Sequence, residues 1–211
     1  MRLRTLGIAI LAIVAFAAGL LIARSLTPTV AAPPPTERAT VLDTPRPLPA
    51  LSLVDQDGRS WGTDRFTGHW TLVFFGYTSC PDICPTTLAT LVQFRKALAD
   101  LPPAEQPRVL LVSVDPERDD PARLAAYVRF FDPSFEGATG DAQAVAAAAA
   151  AFGVPYLKVS VPGGGYNMDH GSGLFLVGPS GTLVAYSSAP HDAAVLARDY
   201  RSIVTREGST S

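Results

Sequence analysis

The chain has 211 residues, enough for one domain of ordinary size plus appendages, and its 17 basic and 19 acidic side chains leave a formal charge of −2 with no Lys/Arg-rich run. Nothing in that charge pattern can track a phosphate backbone, so nucleic acid is not an expected partner. Only two cysteines occur, which excludes a disulfide-stapled scaffold and leaves the core to apolar burial.

Residues 6–23 carry no charged side chain, a run that just reaches the roughly 17 residues a helix needs to span a bilayer. A cleaved secretory signal has a shorter apolar stretch, so residues 6–24 are expected to be an uncleaved transmembrane anchor. Arg2 and Arg4 precede the run and put residues 1–5 in the cytoplasm, with the rest of the chain outside. A peptidase cut near residues 29–32 would export the same domain.

Residues 25–49 are dense in proline (Pro28, Pro33, Pro34, Pro35, Pro45, Pro47 and Pro49) and predict an extended spacer of about 3.1 Å per residue. The folded domain is then expected at 50–205, with 206–211 as a tail. Leu51–Val54 and Arg59–Trp61, joined through Asp57-Gly58, predict a short hairpin. The apolar run at 69–76 predicts a buried strand, and Leu88, Leu91, Val92 and Leu98 give one face of a helix over 85–99. A second buried strand follows at 108–114, and a second helix begins at Pro121, a residue suited to a first helical turn. An alanine-rich helix covers 141–152, with Asp141 as its N-cap and Gly153 as its stop. Strands at 174–177 and 182–186 form a hairpin, and a helix over 192–204 ends the domain. This order predicts an α/β fold whose central mixed sheet is flanked by helices.

Cys80 and Cys84 lie where the first long strand turns into its helix, the end of an α/β sheet at which sites collect. A helix N-terminus favours thiolate, the form that binds metal and attacks disulfides, although Asp82 opposes it by like charge. Three intervening residues put the sulfurs an i, i+4 pair apart, on one face of a first helical turn. Two soft thiolates there suit Cu(I) or zinc, and the same closeness allows a disulfide. The two-residue spacing tuned for thioredoxin redox exchange is absent.

The segment Phe-Gly-Tyr-Thr-Ser-Cys-Pro-Asp-Ile-Cys-Pro at 75–85 resembles the metal-binding signature of the Sco (SenC-like) family. Two further blocks agree: Val-Ser-Val-Asp-Pro-Glu-Arg-Asp at 112–119, with Asp120 where a threonine is more usual, and Asp169-His170 ahead of the Leu174 strand. The resemblance covers about 51–204. It implies a thioredoxin-like fold, copper held by Cys80, Cys84 and His170, and help in loading the binuclear copper site of cytochrome c oxidase. The implied partner is the oxidase subunit carrying that site, with other copper carriers or thiol reductants beside it, at a bacterial inner membrane or its equivalent, on the periplasmic side.

Imidazole is the natural third ligand to two thiolates, and the set carries zero charge with Cu(II) and −1 with Cu(I). His170 sits in a loop whose glycines at 163–165 would let it swing over the cysteines. His191 is the reserve ligand, and His69 is a turn residue. Asp169 is expected to orient the imidazole. Asp115, Glu117 and Arg118 read as ion-pairing or partner contact, Met168 as filler, and Tyr77 and Phe75 as core. Two other readings remain at this level: a membrane-anchored thiol–disulfide oxidoreductase or redox sensor using Cys80 and Cys84, and a peroxidase relative, which would turn over peroxide rapidly.

Overall fold

A computed structural model of the chain describes residues 15–19 and 35–208. The chain divides into two units, Met1–Pro33 and Pro34–Ser211, and the second holds the sheet, its helices and the cysteines. Residues 15–19 are helical; the rest of the expected anchor lies outside the described residues, as do 209–211. Among the described residues no helix is long and apolar enough to cross a membrane.

The two apolar runs become the centre of the sheet. Strands β4 (Thr71–Gly76) and β5 (Arg108–Ser113) pair in parallel from Thr71↔Arg108 to Gly76↔Ser113. Every residue of β4 is buried, which is why the run is apolar without alternation. Around this pair an eight-stranded mixed sheet runs in the order β1-β10-β9-β4-β5-β6-β2-β3. Its other strands are β1 (Ala39–Pro47), β2 (Leu53–Asp55), β3 (Ser60–Trp61), β6 (Glu136–Thr139), β9 (Leu174–Val177) and β10 (Thr182–Ser187). Helices cover both faces. On one, α1 (Ile83–Ala97) packs on α4 (Ala193–Gly208), with Phe94 edge-on to Tyr200 at 5.7 Å. On the other, Phe152 at the end of α3 (Ala142–Phe152) meets Phe66, Phe75 and Phe175.

The helix ends follow the expected chemistry. Asp141 accepts from the Ala144 amide, and Gly153 closes α3 in the left-handed region at φ 70°. Asp120 accepts from the Arg123 amide at the start of α2 (Pro121–Phe131). Aspartate and threonine are both N-cap residues, so the departure at 120 keeps its function in the helix.

Three expectations need correction. The spacer does not extend to residue 49: Ala39–Pro47 is the edge strand β1, paired antiparallel to β10. Pro45 and Pro47 are tolerated because an edge strand has one side on which no amide is needed. Asp199 of α4 fixes the entry to this strand by accepting from the backbone amides of Glu37, Arg38 and Ala39 at 2.6, 2.9 and 2.7 Å. At the other end, α4 runs to Gly208 and takes in part of the expected tail. The stretch 162–170 that carries His170 is not a loop either. Strands β7 (Tyr156–Ser160) and β8 (Tyr166–His170) form a separate two-stranded hairpin, and Gly163, Gly164 and Gly165, all at positive φ, make its tip.

Candidate metal centre

Strand β4 ends at Gly76, and the chain crosses Tyr77–Pro81 to enter α1. The crossing is held from below by Asp119, whose buried carboxylate accepts from the Thr78 amide, the Thr78 hydroxyl and the Ser113 hydroxyl at 2.6–2.9 Å. Arg123 of α2 holds it from the side through Thr78 Oγ1 and Ser79 Oγ. At the start of α1 the Asp82 side chain makes no capping bond and is exposed. The sulfur of Cys80 takes that place and accepts from the Cys84 amide at 3.4 Å. A sulfur at this position faces the positive end of the helix.

Cys84 is the inner thiol, fully buried under the end of β4. The space it fills exists because residue 76 is glycine: a Cβ there would lie 2.9 Å from Cys84 Sγ, 3.0 Å from the Phe74 ring and 3.2 Å from Leu111. Burial, then the hydrogen bond with Cys80, pushes the Cys84 thiol pKa far up, so it holds its proton at neutral pH. Both cysteines are free thiols. Cys80 is half-buried and lines an open cleft of about 430 Å3 with Tyr77, Ile83, Val159 and Met168.

His170, the last residue of β8, reaches the pair from the hairpin. Its Nε2 lies 3.5 Å from Cys84 Sγ, and its Nδ1 is 3.0 Å from the Gly171 carbonyl oxygen. A carbonyl only accepts, so Nδ1 carries the proton and the Nε2 lone pair faces the thiol. Burial lowers the pKa of this imidazole and keeps it neutral. The rings of Tyr77 and Phe74 stand edge-on to it at 5.9 and 6.3 Å. The three donor atoms lie within 4.8 Å of one another. Three ligands at about 2.0–2.3 Å from one ion stand roughly 3.3–4 Å apart in trigonal or tetrahedral geometry, so a small inward shift closes these three on one ion. Two sulfurs and one imidazole nitrogen fit a soft or borderline ion, and among the described residues no further His, Cys, Asp or Glu joins them as a fourth.

The structure sorts the other candidates. His191 is not in the cluster; its Nε2 donates to the Ser172 carbonyl at 2.8 Å. His69 sits at the opposite end of β4 beside Arg108. Asp169 is exposed, and the Gly171 carbonyl orients the imidazole in its place. Met168, Tyr77 and Phe75 are buried, as expected. Asp115, Glu117 and Arg118 hold the hairpin. Arg118 pairs with Asp115, donates to the Tyr166 carbonyl at 3.0 Å and stacks on the Tyr166 ring at 3.8 Å. Tyr166 donates its hydroxyl to Asp115 at 2.8 Å, and Lys158 bridges to Glu117 at 2.6 Å. Gly76, Lys158 and Tyr166 were not singled out from the sequence. Gly76 was the most readable of them, a glycine closing an apolar strand directly ahead of the cysteine motif.

A thioredoxin-like sheet with two thiols at the strand-to-helix crossing and an imidazole brought over them defines a class of thiol and metal-handling proteins. Within it, the SCO1/SenC family model matches residues 43–205, and the chain belongs to that family. A protein of Stutzerimonas stutzeri whose name assigns it copper binding is 37% identical over 158 residues, covering 73% of this chain and 76% of that protein. The structure of Arabidopsis thaliana ScoI with copper bound superposes with a TM-score of 0.71 at 29% identity, covering 75% of this chain and 98% of that one. BsSco, described by its disulfide switch and as a member of the Sco family of cytochrome c oxidase assembly proteins, superposes with a TM-score of 0.57 at 26% identity, covering 81% and 96%. The chain spans little more than half the length of the mitochondrial SCO2 homologues of cattle and humans that it also matches.

Proposed function

We propose that the chain carries copper on Cys80, Cys84 and His170 and delivers it to the binuclear copper site of a cytochrome c oxidase. The observation that carries this reading is the His170 Nε2 lone pair aimed at Cys84, with Cys80 beside it, all three donor atoms converging. Copper-bound relatives and the oxidase-assembly role of BsSco support it. The three ligands divide the work. Cys84 is the deep anchor, Cys80 is the sulfur an acceptor's ligand reaches first through the open cleft, and His170 closes the site from the hairpin. Transfer proceeds by ligand exchange, with the acceptor's thiolates and imidazoles replacing these three in turn. The uncharged run at 6–23 and the arginines before it support a membrane anchor with the domain on the extracytoplasmic side, where an oxidase copper site would be loaded.

The test is an anaerobic copper titration of the reduced chain in mild detergent, with His170→Ala in parallel and a chromophoric Cu(I) chelator as competitor. One tight equivalent, strongly weakened without His170, is expected. No specific binding by the wild type would end this reading.

The closeness of the two sulfurs favours one alternative, dithiol–disulfide cycling in which Cys80 and Cys84 give two electrons and two protons to a partner's disulfide. His170→Ala separates the two, since it leaves thiol exchange against a glutathione couple intact and removes copper delivery.

A further inference from the structure

Between His170, the last residue of β8, and Leu174, the first of β9, the chain crosses back to the main sheet through Gly171, Ser172 and Gly173. This crossing carries the carbonyl that orients the ligand imidazole, because His170 Nδ1–H donates to the Gly171 oxygen at 3.0 Å. Glycine on both sides of Ser172 leaves the segment little stiffness of its own, so its place is set by what grips it. The Gly171 amide donates to the Pro155 carbonyl at 3.0 Å, which ties the crossing to the residue ahead of β7. The Ser172 carbonyl accepts from His191 Nε2 at 2.8 Å, which ties it to the link between β10 and α4, outside the hairpin.

That link is fixed by bonds that do not use the His191 ring. Arg38 donates to the Pro190 carbonyl at 3.2 Å, and Asp192 caps α4 by accepting from the Ala194 and Val195 amides, both at 2.9 Å. A carbonyl only accepts, so His191 Nε2 carries the ring proton and Nδ1 is a bare lone pair. Burial lowers the pKa of this ring and keeps it neutral. Its Nδ1 is sealed from solvent and has no hydrogen-bond partner among the described residues. A buried acceptor left idle is costly, and an apolar side chain would fill the space without that cost. What the histidine adds here is the proton on Nε2.

We propose that His191 is a positioning residue for the copper site. By holding the Ser172 carbonyl it fixes the neighbouring Gly171 peptide, whose carbonyl keeps the proton on His170 Nδ1 and leaves Nε2 free to bind the ion. His191 acts through the backbone and is not a ligand, and its role deepens the copper reading above and rests on it.

Two substitutions test this in the full chain in detergent. His191→Leu keeps apolar bulk and removes the donor, whereas His191→Gln restores an N–H, since its Nε2 can take the place of the ring nitrogen. His191→Leu is expected to bind Cu(I) roughly tenfold more weakly in chelator competition, the lower end of what losing an outer partner of a ligand costs, with His191→Gln recovering most of the loss. In the reduced, metal-free chain, nitrogen NMR should find His170 protonated at Nδ1 in the wild type and in His191→Gln, and a mixture of the two tautomers in His191→Leu. The metal-free unfolding midpoint of His191→Leu should stay near that of the wild type, because the idle buried acceptor goes together with the lost bond. An unchanged affinity and an unchanged His170 tautomer in His191→Leu would overturn this proposal and leave the copper reading intact. A loss that His191→Gln fails to restore and that tracks a lowered unfolding midpoint, with the tautomer unchanged, would make His191 structural and also overturn it. A wild type that binds no copper would overturn the copper reading and this proposal with it.

Discussion

The two halves of the site are built differently. The cysteines stand on the most deeply buried part of the molecule: β4 has no exposed residue, Cys84 has no accessible surface, and Asp119 secures the crossing with three hydrogen bonds. His170 stands on a hairpin outside the main sheet, with Leu157 65% exposed, tied to the body through Arg118, Tyr166, Asp115 and the Lys158–Glu117 pair. A dense core cannot yield without a large cost, whereas a two-stranded annex with Met168 as its one buried side chain opens more cheaply. On the proposed copper reading, the fixed half supplies affinity and the annexed half release.

The sharpest way to break this contrast is in the fixed half. Cys84→Ser replaces the buried soft ligand by a hard hydroxyl, and one-equivalent copper binding should disappear in an anaerobic titration. In the annexed half, His170→Ala should weaken Cu(I) by at least the roughly 10–100-fold that losing even an outer partner of a ligand costs, while the dithiol still oxidises. An equal loss in the two variants would mean that the halves do not divide the task.

Gly76→Ala sharpens the contrast without replacing a ligand. Its Cβ would press on Cys84 Sγ, Phe74 and Leu111, so denaturant unfolding should show a loss of about 1–3 kcal/mol. Proton release is the next lever. The raised Cys84 pKa means the free protein holds this thiol proton, and the metal must displace it. Copper affinity should therefore rise with pH near neutrality, by about tenfold per unit for each proton released. His170 adds no competing proton there, because burial lowers its pKa below the ordinary value of about 6.5. An affinity flat with pH would remove Cys84 from the ligand set. The smallest effect belongs to Lys158→Met, which deletes an exposed ion pair and should cost under about 1 kcal/mol in denaturant unfolding. Protease cutting at the Gly163–Gly165 tip should nonetheless rise, because the change acts on the annex alone.

The same division decided what the sequence could reveal. The buried strands at 71–76 and 108–113, the helix start at Pro121, the cap at Asp141 and the cysteine turn are local patterns, and local patterns are readable in one dimension. Strand β1 was hidden because Pro45 and Pro47 mimic a spacer, and only its place at an edge makes them harmless. The hairpin was hidden because three consecutive glycines read as a loose loop. Its period-two pattern, with Tyr156 and Lys158 on one face and Leu157 and Val159 on the other, was the available signal. Cys80, Cys84 and His170 were named as a set through a family resemblance, and the structure brings them together. The route by which His170 arrives, through Arg118 stacked on Tyr166, depends on contacts across more than forty residues that no local rule foresees.

The Asp199 grip on the amides of Glu37, Arg38 and Ala39 has a mechanical meaning. Tension arriving along the chain ahead of Glu37 is taken first by these three bonds and passed into α4, reinforced by the Arg198–Glu37 pair at 2.6 Å.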